Sequence, residues 1–343
     1  MTVRSLQLMA GSPAGGAETF YITLGTALKA AGEDVHFGMR PHPHREAQLH
    51  DVGADPHLFS FGRFDLATRW GLKRLVQDLQ PDIVMTWMNR AAALCPDGDF
   101  IRVARLGGFY KMKHYRKHDH MIGNVPGIVT YLKECGWSDN QVHYVPNFCT
   151  VNDSAAMPRA NFDTPEDAPL LLAMGRLHPA KGLDVLINAM PNVPKAHLWI
   201  AGEGPLRKEL TTLSHSLGLQ DRVKFIGWQT DRTALLKAAD VCVFPSRYEP
   251  LGNVMLEAWA HGVPLVAAAS NGPSELMHDQ KDGLLVPIND ADAIAKAINK
   301  VLQNPDLAQE LVTNGSKRHR TEFNEAIITQ RYHTLYEEIV RTR

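Results

Sequence analysis

Short apolar runs recur along this chain, each followed by a stretch whose apolar residues return every three or four positions. Leu6–Ala10 is the first run, and the helical period then predicts a helix over about Ala17–Ala31, ended by Gly32. Asp34–Met39, Asp82–Met88, Ile101–Leu106 and His120–Val125 read as further strands, and Ala67–Gln80 as a helix stopped by Pro81. Between Asn152 and Ala168 the pattern lapses into a polar, proline-bearing stretch that reads as a linker. A second series opens at Leu170–Gly175 and continues through HLWIAG, VKFIGW, VCVFP, PLVAAA and GLLVP. From Phe323 onward the residues carry the stripe of a long amphipathic helix. Alternation of this kind marks parallel α/β architecture, so two successive Rossmann-like, doubly wound domains facing across a cleft are expected.

Length agrees with that expectation. At 343 residues the chain exceeds the size at which one core stops growing. We place the first domain at 1–160 and the second at 161–322, with a helix over 323–343 returning to the first. A hydrophobic content of 44% is enough for substantial cores, and a formal net charge of -1 speaks against a general nucleic-acid binder. Cys95, Cys135, Cys149 and Cys242 are scattered without a CxxC pair, which fits a reducing cytoplasm and argues against a disulfide framework. The opening residues have too short an apolar run for a signal peptide, and no run of about 18 apolar residues occurs. Arg40–His50 holds three histidines among prolines and reads as a mobile polar loop rather than a metal site.

Open α/β sheets bind ligands beyond the carboxyl ends of their strands, so the loops there hold the candidate chemistry. After the first strand, Gly15 and Gly16 can bring backbone N–H groups close to an anion at the start of the next helix. A tight strand–helix turn explains them equally well. After Leu170–Gly175, Arg176 and Lys181 flank the strand end and precede Gly182. Two cations there suit a diphosphate, with Arg supplying a fork and Lys a point charge. Gly202 and Glu203 follow the next strand and either border a nucleotide or form a plain turn.

Arg247–Ala267 places Glu249 in a loop and Glu257 on the following helix, with Leu251, Gly252 and Asn253 at the helix start. Asn253 and Glu257 are four apart and share a face. Exposed N–H groups at a helix start suit phosphate or sugar oxygens, and carboxylates accept from vicinal hydroxyls. Glu249 then fits a sugar and Glu257 a ribose. Either glutamate alone is as well read as a solvated charge; the constellation together points to a nucleotide sugar.

These pieces resemble the retaining GT-B glycosyltransferases of family 4. The resemblance rests on GGAE (Gly15–Glu18), YVPN (Tyr144–Asn147), GRLHPAKG (Gly175–Gly182), AGEGP (Ala201–Pro205) and the E-x7-E pattern from Glu249 to Glu257, in the family's order over nearly the whole chain. It implies that Arg176 and Lys181 hold the donor diphosphate and that Gly16 meets the phosphates through its backbone. It further implies that Glu249 binds donor-sugar hydroxyls, that Leu251, Gly252 and Asn253 give main-chain N–H groups, and that Glu257 binds ribose. No metal and no separate cofactor is implied. Uridine is the expected base, with guanosine and adenosine the alternatives. One departure stands out: where the family often has a histidine after the strand reading VARLGGFY, this chain has Gly107, which leaves Lys113 and His114 as neighbouring candidates.

For the acceptor, Lys111, Lys113, Arg116 and Lys117 lie in one short aromatic-bearing stretch. A solvated basic face is the plain reading; the sharper one is contact with anionic membrane or a phosphorylated glycolipid. The general look resembles enzymes of the bacterial cell envelope, such as those building lipopolysaccharide, working in the cytoplasm at the inner face of the membrane. An epimerase acting on a nucleotide sugar and a non-catalytic binding module remain the alternatives. A nicotinamide oxidoreductase would need a GxGxxG turn, which the first loop lacks.

Overall fold

The structure is a computed structural model that describes residues 3–11, 15–62 and 64–343. The chain divides into two compact units, residues 1–148 with 325–343, and residues 149–324. In the first, β1 (Arg4–Met9), β2 (Asp34–Met39), β3 (His57–Leu58), β4 (Ile83–Trp87), β5 (Ile101–Leu106), β6 (His120–Gly123) and β7 (Val142–Tyr144) form one parallel sheet. Its order among the described residues is β3-β2-β1-β4-β5-β6-β7. The second unit contains β8 (Leu170–Met174), β9 (His197–Ala201), β10 (Val223–Gly227), β11 (Val241–Phe244), β12 (Leu265–Ala268) and β13 (Leu284–Val286), in the order β10-β9-β8-β11-β12-β13. Both are doubly wound, Rossmann-like sheets, as the alternating pattern predicts.

The reason is burial on both faces. Every residue of β4 and of β8 is buried, which is why these strands read as unbroken apolar runs rather than as alternation. Helices cover the faces with stripes of matching period. The helix Gly16–Ala30 buries Phe20, Tyr21, Leu24 and Leu28 against a core that includes Trp87 and Phe37. The helix Glu325–Arg341 buries Ile328, Tyr332, Leu335, Tyr336 and Ile339 in the same core. It is fastened by Tyr336 Oη, which accepts from Gln7 Nε2 at 3.0 Å, and by Tyr332 Oη, which accepts from Arg105 Nε at 2.9 Å.

Two local readings differ from the structure. Arg40–His50 is not a free loop: Pro43–His50 is helical, with Pro43 in the first turn, Glu46 accepting from the His42 N–H at 2.6 Å, and Leu49 buried. A single buried apolar residue leaves too little period to see. The Asn152–Ala168 stretch, read as a linker, is bound to the second unit, whose boundary lies at Cys149 rather than at 161. Met157 N–H donates to the Ala234 carbonyl at 2.9 Å, and Arg159 donates to the Ala168 and Ala238 carbonyls and to Asp240. An aperiodic segment can be ordered by hydrogen bonds that leave no hydrophobic trace.

Candidate active site

The strand order of the second unit reverses between β8 and β11, which are hydrogen-bonded neighbours. At such a reversal the loops leaving the two strands part and open a crevice at their carboxyl ends. Arg176 and Lys181 lie on the loop after β8, and Glu249 lies on the loop after β11. Topology alone therefore brings together residues about 70 positions apart.

Close stitching of the two loops fixes the geometry. Gly182 is left-handed, and a Cβ there would overlap the Pro245 carbonyl oxygen. The Arg247 and Tyr248 N–H groups both donate to the Ala180 carbonyl, at 2.9 and 3.2 Å. Arg247 clamps Asp184 with two parallel hydrogen bonds of 2.7 and 2.6 Å and reaches Pro179 O at 2.8 Å. That fork holds the Asp184 carboxyl below its usual range. On this frame Lys181 Nζ donates to Glu249 Oε2 while lying 5.9 Å from the centre of the Phe244 ring. Arg176 is exposed, and among the described residues no carboxylate pairs with it.

Gly252, also left-handed, opens the helix Asn253–His261; a side chain there would strike the Phe244 ring. Leu251 is buried with its carbonyl against Gly272, and the Gly272 N–H donates to the Glu249 carbonyl at 2.8 Å. The helix start is thus pinned beside the Lys181–Glu249 pair.

Glu257 is buried on that helix with a partner sequence reasoning missed. Arg232 Nη2, from the helix Arg232–Ala238, lies 2.6 Å from Glu257 Oε2 but off the direction of its N–H bonds. The contact is ionic without an aligned hydrogen bond, so this buried oxygen keeps its acceptor capacity. Burial pushes the Glu257 pKa up, while Arg232 and His261 oppose the rise. His261 Nδ1 lies 2.7 Å from the Glu257 carbonyl, which can only accept, so Nδ1 carries a proton, and Nε2 lies 2.9 Å from Thr233 Oγ1. That bridge holds the Arg232 helix against the Glu257 helix. Its only sequence signal is Asp231, which caps the Arg232 helix by accepting from the Ala234 N–H at 3.0 Å.

Other sequence candidates lie on other segments. Gly202 and Gly204 allow a backbone-to-backbone approach, since a Cβ on either would overlap a carbonyl oxygen, of Gly175 and Leu177 respectively. The Leu177 N–H donates to Glu203 O at 3.0 Å, and the Glu203 carboxylate pairs with Arg207 at 2.9 Å. In the first unit, Gly15 is extended at φ 171° and precedes the helix that starts at Gly16. The buried Glu18 side chain occupies the space that a Cβ on Gly11 or Gly15 would take. Ser12–Ala14 of the same loop lie outside the described residues. Lys111, Lys113, Arg116 and Lys117 are exposed around the short turn Met112–His114. At Gly107 a Cβ would meet only Asn124 Nδ2, at 3.5 Å, so the position has room for a side chain.

The sequence pattern of the family described as "Glycosyl transferases group 1" matches residues 158–318, the stretch that carries all of these ion pairs. Over 334 residues the chain is 34% identical to the lipopolysaccharide core biosynthesis glycosyltransferase LpsD of Rhizobium meliloti (strain 1021), covering 96% of this chain and 97% of that protein. The chain belongs to the glycosyl transferases group 1 family. A second relative of this glycosyltransferase, LpsE of the same organism, is 34% identical over 323 residues, 93% of this chain and 94% of that protein. Among solved structures, Anabaena Alr3699/HepE in complex with UDP and glucose superposes with a TM-score of 0.85 at 20% identity, covering 98% of this chain and 100% of that one. That likeness is one of fold, and it agrees with the GT-B class of the two sheets.

Proposed function

We propose that this glycosyltransferase moves a sugar, with retention of configuration, from a uridine-diphosphate donor to a hydroxyl of the lipopolysaccharide core or a related envelope glycolipid. The observation that carries the reading is that Arg176, exposed and without a carboxylate partner among the described residues, shares the loop after β8 with Lys181, which pairs with Glu249 across the β8/β11 reversal. With one carboxylate for two cations, that loop has positive charge left over for an anion. The acceptor class is taken from the names of LpsD and LpsE.

In this reading Arg176 and Lys181 grip the diphosphate, and Glu249 turns from Lys181 to the donor-sugar hydroxyls. Leu251, Gly252 and Asn253 offer the helix start to the same groups. Glu257 accepts from the ribose diol, with its buried Oε2 held against Arg232. The acceptor hydroxyl attacks the anomeric carbon from the face on which the diphosphate leaves. The bond from that carbon to the diphosphate oxygen breaks, a bond to the acceptor oxygen forms, and the proton passes to the departing diphosphate. Charge growing on the leaving group is offset by Arg176 and Lys181, which fill the place a metal ion takes in other transferases. Gly202 and Glu203 are assigned to the edge of the donor site. The enzyme works at the cytoplasmic face of the membrane, where such acceptors are built.

The test is thermal unfolding with UDP, GDP, ADP or NAD, on the native chain and on Glu257→Ala. A nucleotide at 100 times its dissociation constant adds about 2.7 kcal/mol. A shift with UDP alone, weakened in the variant, supports the donor site and its base. Release of UDP from UDP-sugars with a core oligosaccharide acceptor, and the anomer of the product by NMR, then decide transfer and retention. A response to NAD only, or to nothing, overturns the proposal.

A further inference from the structure

Arg232 stands where a helix disfavours a cation. It is the first residue of the helix Arg232–Ala238, and the free N–H groups of a helix start already lend positive charge to that end. Asp231, the acid beside it, is taken up in capping: its carboxylate accepts from the Ala234 N–H at 3.0 Å and from Ser154. The Arg232 guanidinium instead lies 2.6 Å from Glu257 on the helix Asn253–His261. Its side chain is 38% exposed and that of Glu257 only 11%, so the burial in this pair falls on the carboxylate. The helix gains nothing from a cation at this end; Glu257 does.

A buried carboxyl group is driven toward its neutral form unless a charge nearby opposes this. The groups around Glu257 leave that task to Arg232. From its own helix comes His261, whose Nδ1 proton goes to the Glu257 carbonyl. Strand β11 brings Cys242 and the segment that opens the second unit brings Cys149; burial raises both thiols, Cys242 to about 12, so neither is charged. His319, in the turn after the helix Pro305–Arg318, has its pKa lowered by burial and lies 3.6 Å from Cys149 Sγ. Arg318, at the end of that helix, is turned to Asp282 and Glu322. Of the two groups that oppose protonation of Glu257, Arg232 acts more strongly than His261, and its charge is permanent. The stake is hydrogen-bonding capacity. An ionised carboxylate presents acceptors alone, whereas a protonated one turns an oxygen into a donor, which a pair of hydroxyl donors cannot use in the same way.

We infer that Arg232 is a positioning residue of the donor site, whose guanidinium holds the buried Glu257 in the ionised form that accepts from both hydroxyls of the ribose. The inference rests on the reading of Glu257 as the ribose acceptor. The contact is not aligned as a hydrogen bond, so Arg232 supplies charge here rather than the geometry of its fork. Without that charge Glu257 keeps its proton to higher pH, and nucleotide binding then weakens on acidification in a range where the native chain holds its affinity.

Calorimetric titration with UDP and with 2′-deoxy-UDP tests it, on the native chain, Arg232→Gln, Arg232→Lys and Glu257→Gln, from about pH 6 to about pH 9. Each variant is compared with the native chain at the same pH, so that the terminal phosphate of UDP, with its own pKa of about 6, cancels. Arg232→Gln should weaken UDP about tenfold or more at the acid end, the scale of one hydrogen bond to a charged group, and progressively less toward the alkaline end. 2′-Deoxy-UDP, with one hydroxyl fewer, should lose less. Arg232→Lys should restore most of the affinity, because it returns the charge without the fork. A loss in Arg232→Gln that is the same at every pH, or no loss, overturns the inference. If Glu257→Gln binds UDP as the native chain does, the ribose reading itself fails; if that variant weakens UDP and Arg232→Gln does not, only the role of Arg232 fails. An unchanged unfolding temperature without ligand shows that the variants fold. The infrared difference between the native chain and Glu257→Gln at neutral pH reads the ionisation without touching Arg232: a carboxylate band is expected, and a protonated-carboxyl band overturns the inference.

Discussion

Both units thread their strands in one order, reversing after the third, yet they treat the reversal differently. In the second unit it gathers charge: Lys181 with Glu249, Arg247 with Asp184, and Arg232 with Glu257 all lie on segments following β8, β10 or β11. In the first unit the loop after β1 has glycines packed over a buried Glu18, and the dense cations sit instead around the helix after β3 and the turn after β5. The same scaffold therefore carries two kinds of surface. Where fixed ion pairs are stitched to backbone, a ligand must fit a preset geometry. Where exposed cations ring a cavity, charge rather than shape does the selecting.

The sharpest way to break this comparison is through the glycines. Gly202→Val should cost the second unit about 4 kcal/mol or more, because the new side chain meets the Gly175 carbonyl at a backbone conformation that valine rarely adopts. Gly107→Ala in the first unit should stay within about 0.5 kcal/mol, having ordinary room. Chemical denaturation of both variants checks the contrast, and equal losses would show that the second unit is not the more tightly stitched one.

Next comes catalysis. Lys181→Ala should lower kcat/KM by roughly 10²–10³-fold, the scale for losing one preorganised charge at a leaving group, with unfolding little changed. A drop below tenfold in a transfer assay would leave Arg176 as the principal anion holder.

Acid separates the units as well. Burial holds His118 neutral, its pKa lowered to about 4, with Nε2 against Thr86 Oγ1 at 2.8 Å. A histidine depressed in the folded state stabilises above its unfolded value of 6.5, and that stability fades as pH falls toward 4. The loss is on the order of 3 kcal/mol for this residue. Glu257 behaves oppositely, because its pKa is raised from 4.5. Its contribution is full below pH 4.5 and lost as pH climbs through the folded value, so Glu257→Gln should gain stability relative to the native chain over that window. Hydrogen exchange at several pH values, read separately in β4 and in the Asn253–His261 helix, should show the two opposite trends.

The smallest effect belongs to the exposed Glu203–Arg207 pair. Glu203→Ala should change stability by less than about 0.5 kcal/mol. UDP binding should fall severalfold in the same variant, since Glu203 is assigned to the edge of the donor site; unchanged binding would remove it from that site.

Most of the architecture was legible because a doubly buried strand has to be a continuous apolar run, and β4 and β8 are. The two-residue strand β3 is exposed throughout and carried no such mark. In the site, Glu249, Glu257, Arg176 and Lys181 stood out by spacing within a segment. Arg232 did not, since its partner lies 25 positions on and the contact exists only once β10 and β11 are placed. Arg247 and Asp184 escaped for the same reason: a fork between two loops has no period.

The two units are also nested rather than strung in sequence. Residues 149–324 form one uninterrupted stretch, whereas the first unit is finished only by residues 325–343. On the ribosome the usual rule is that the domain nearer the N-terminus folds first. Here the later unit has its whole chain before the earlier one does, and the core around Trp87 and Phe37 waits for Tyr332 and Tyr336 to be synthesised. A nascent chain halted near residue 320 would thus display a complete second unit and an unsealed first one. The vulnerable interval in making this protein falls late, on the half that was begun earliest.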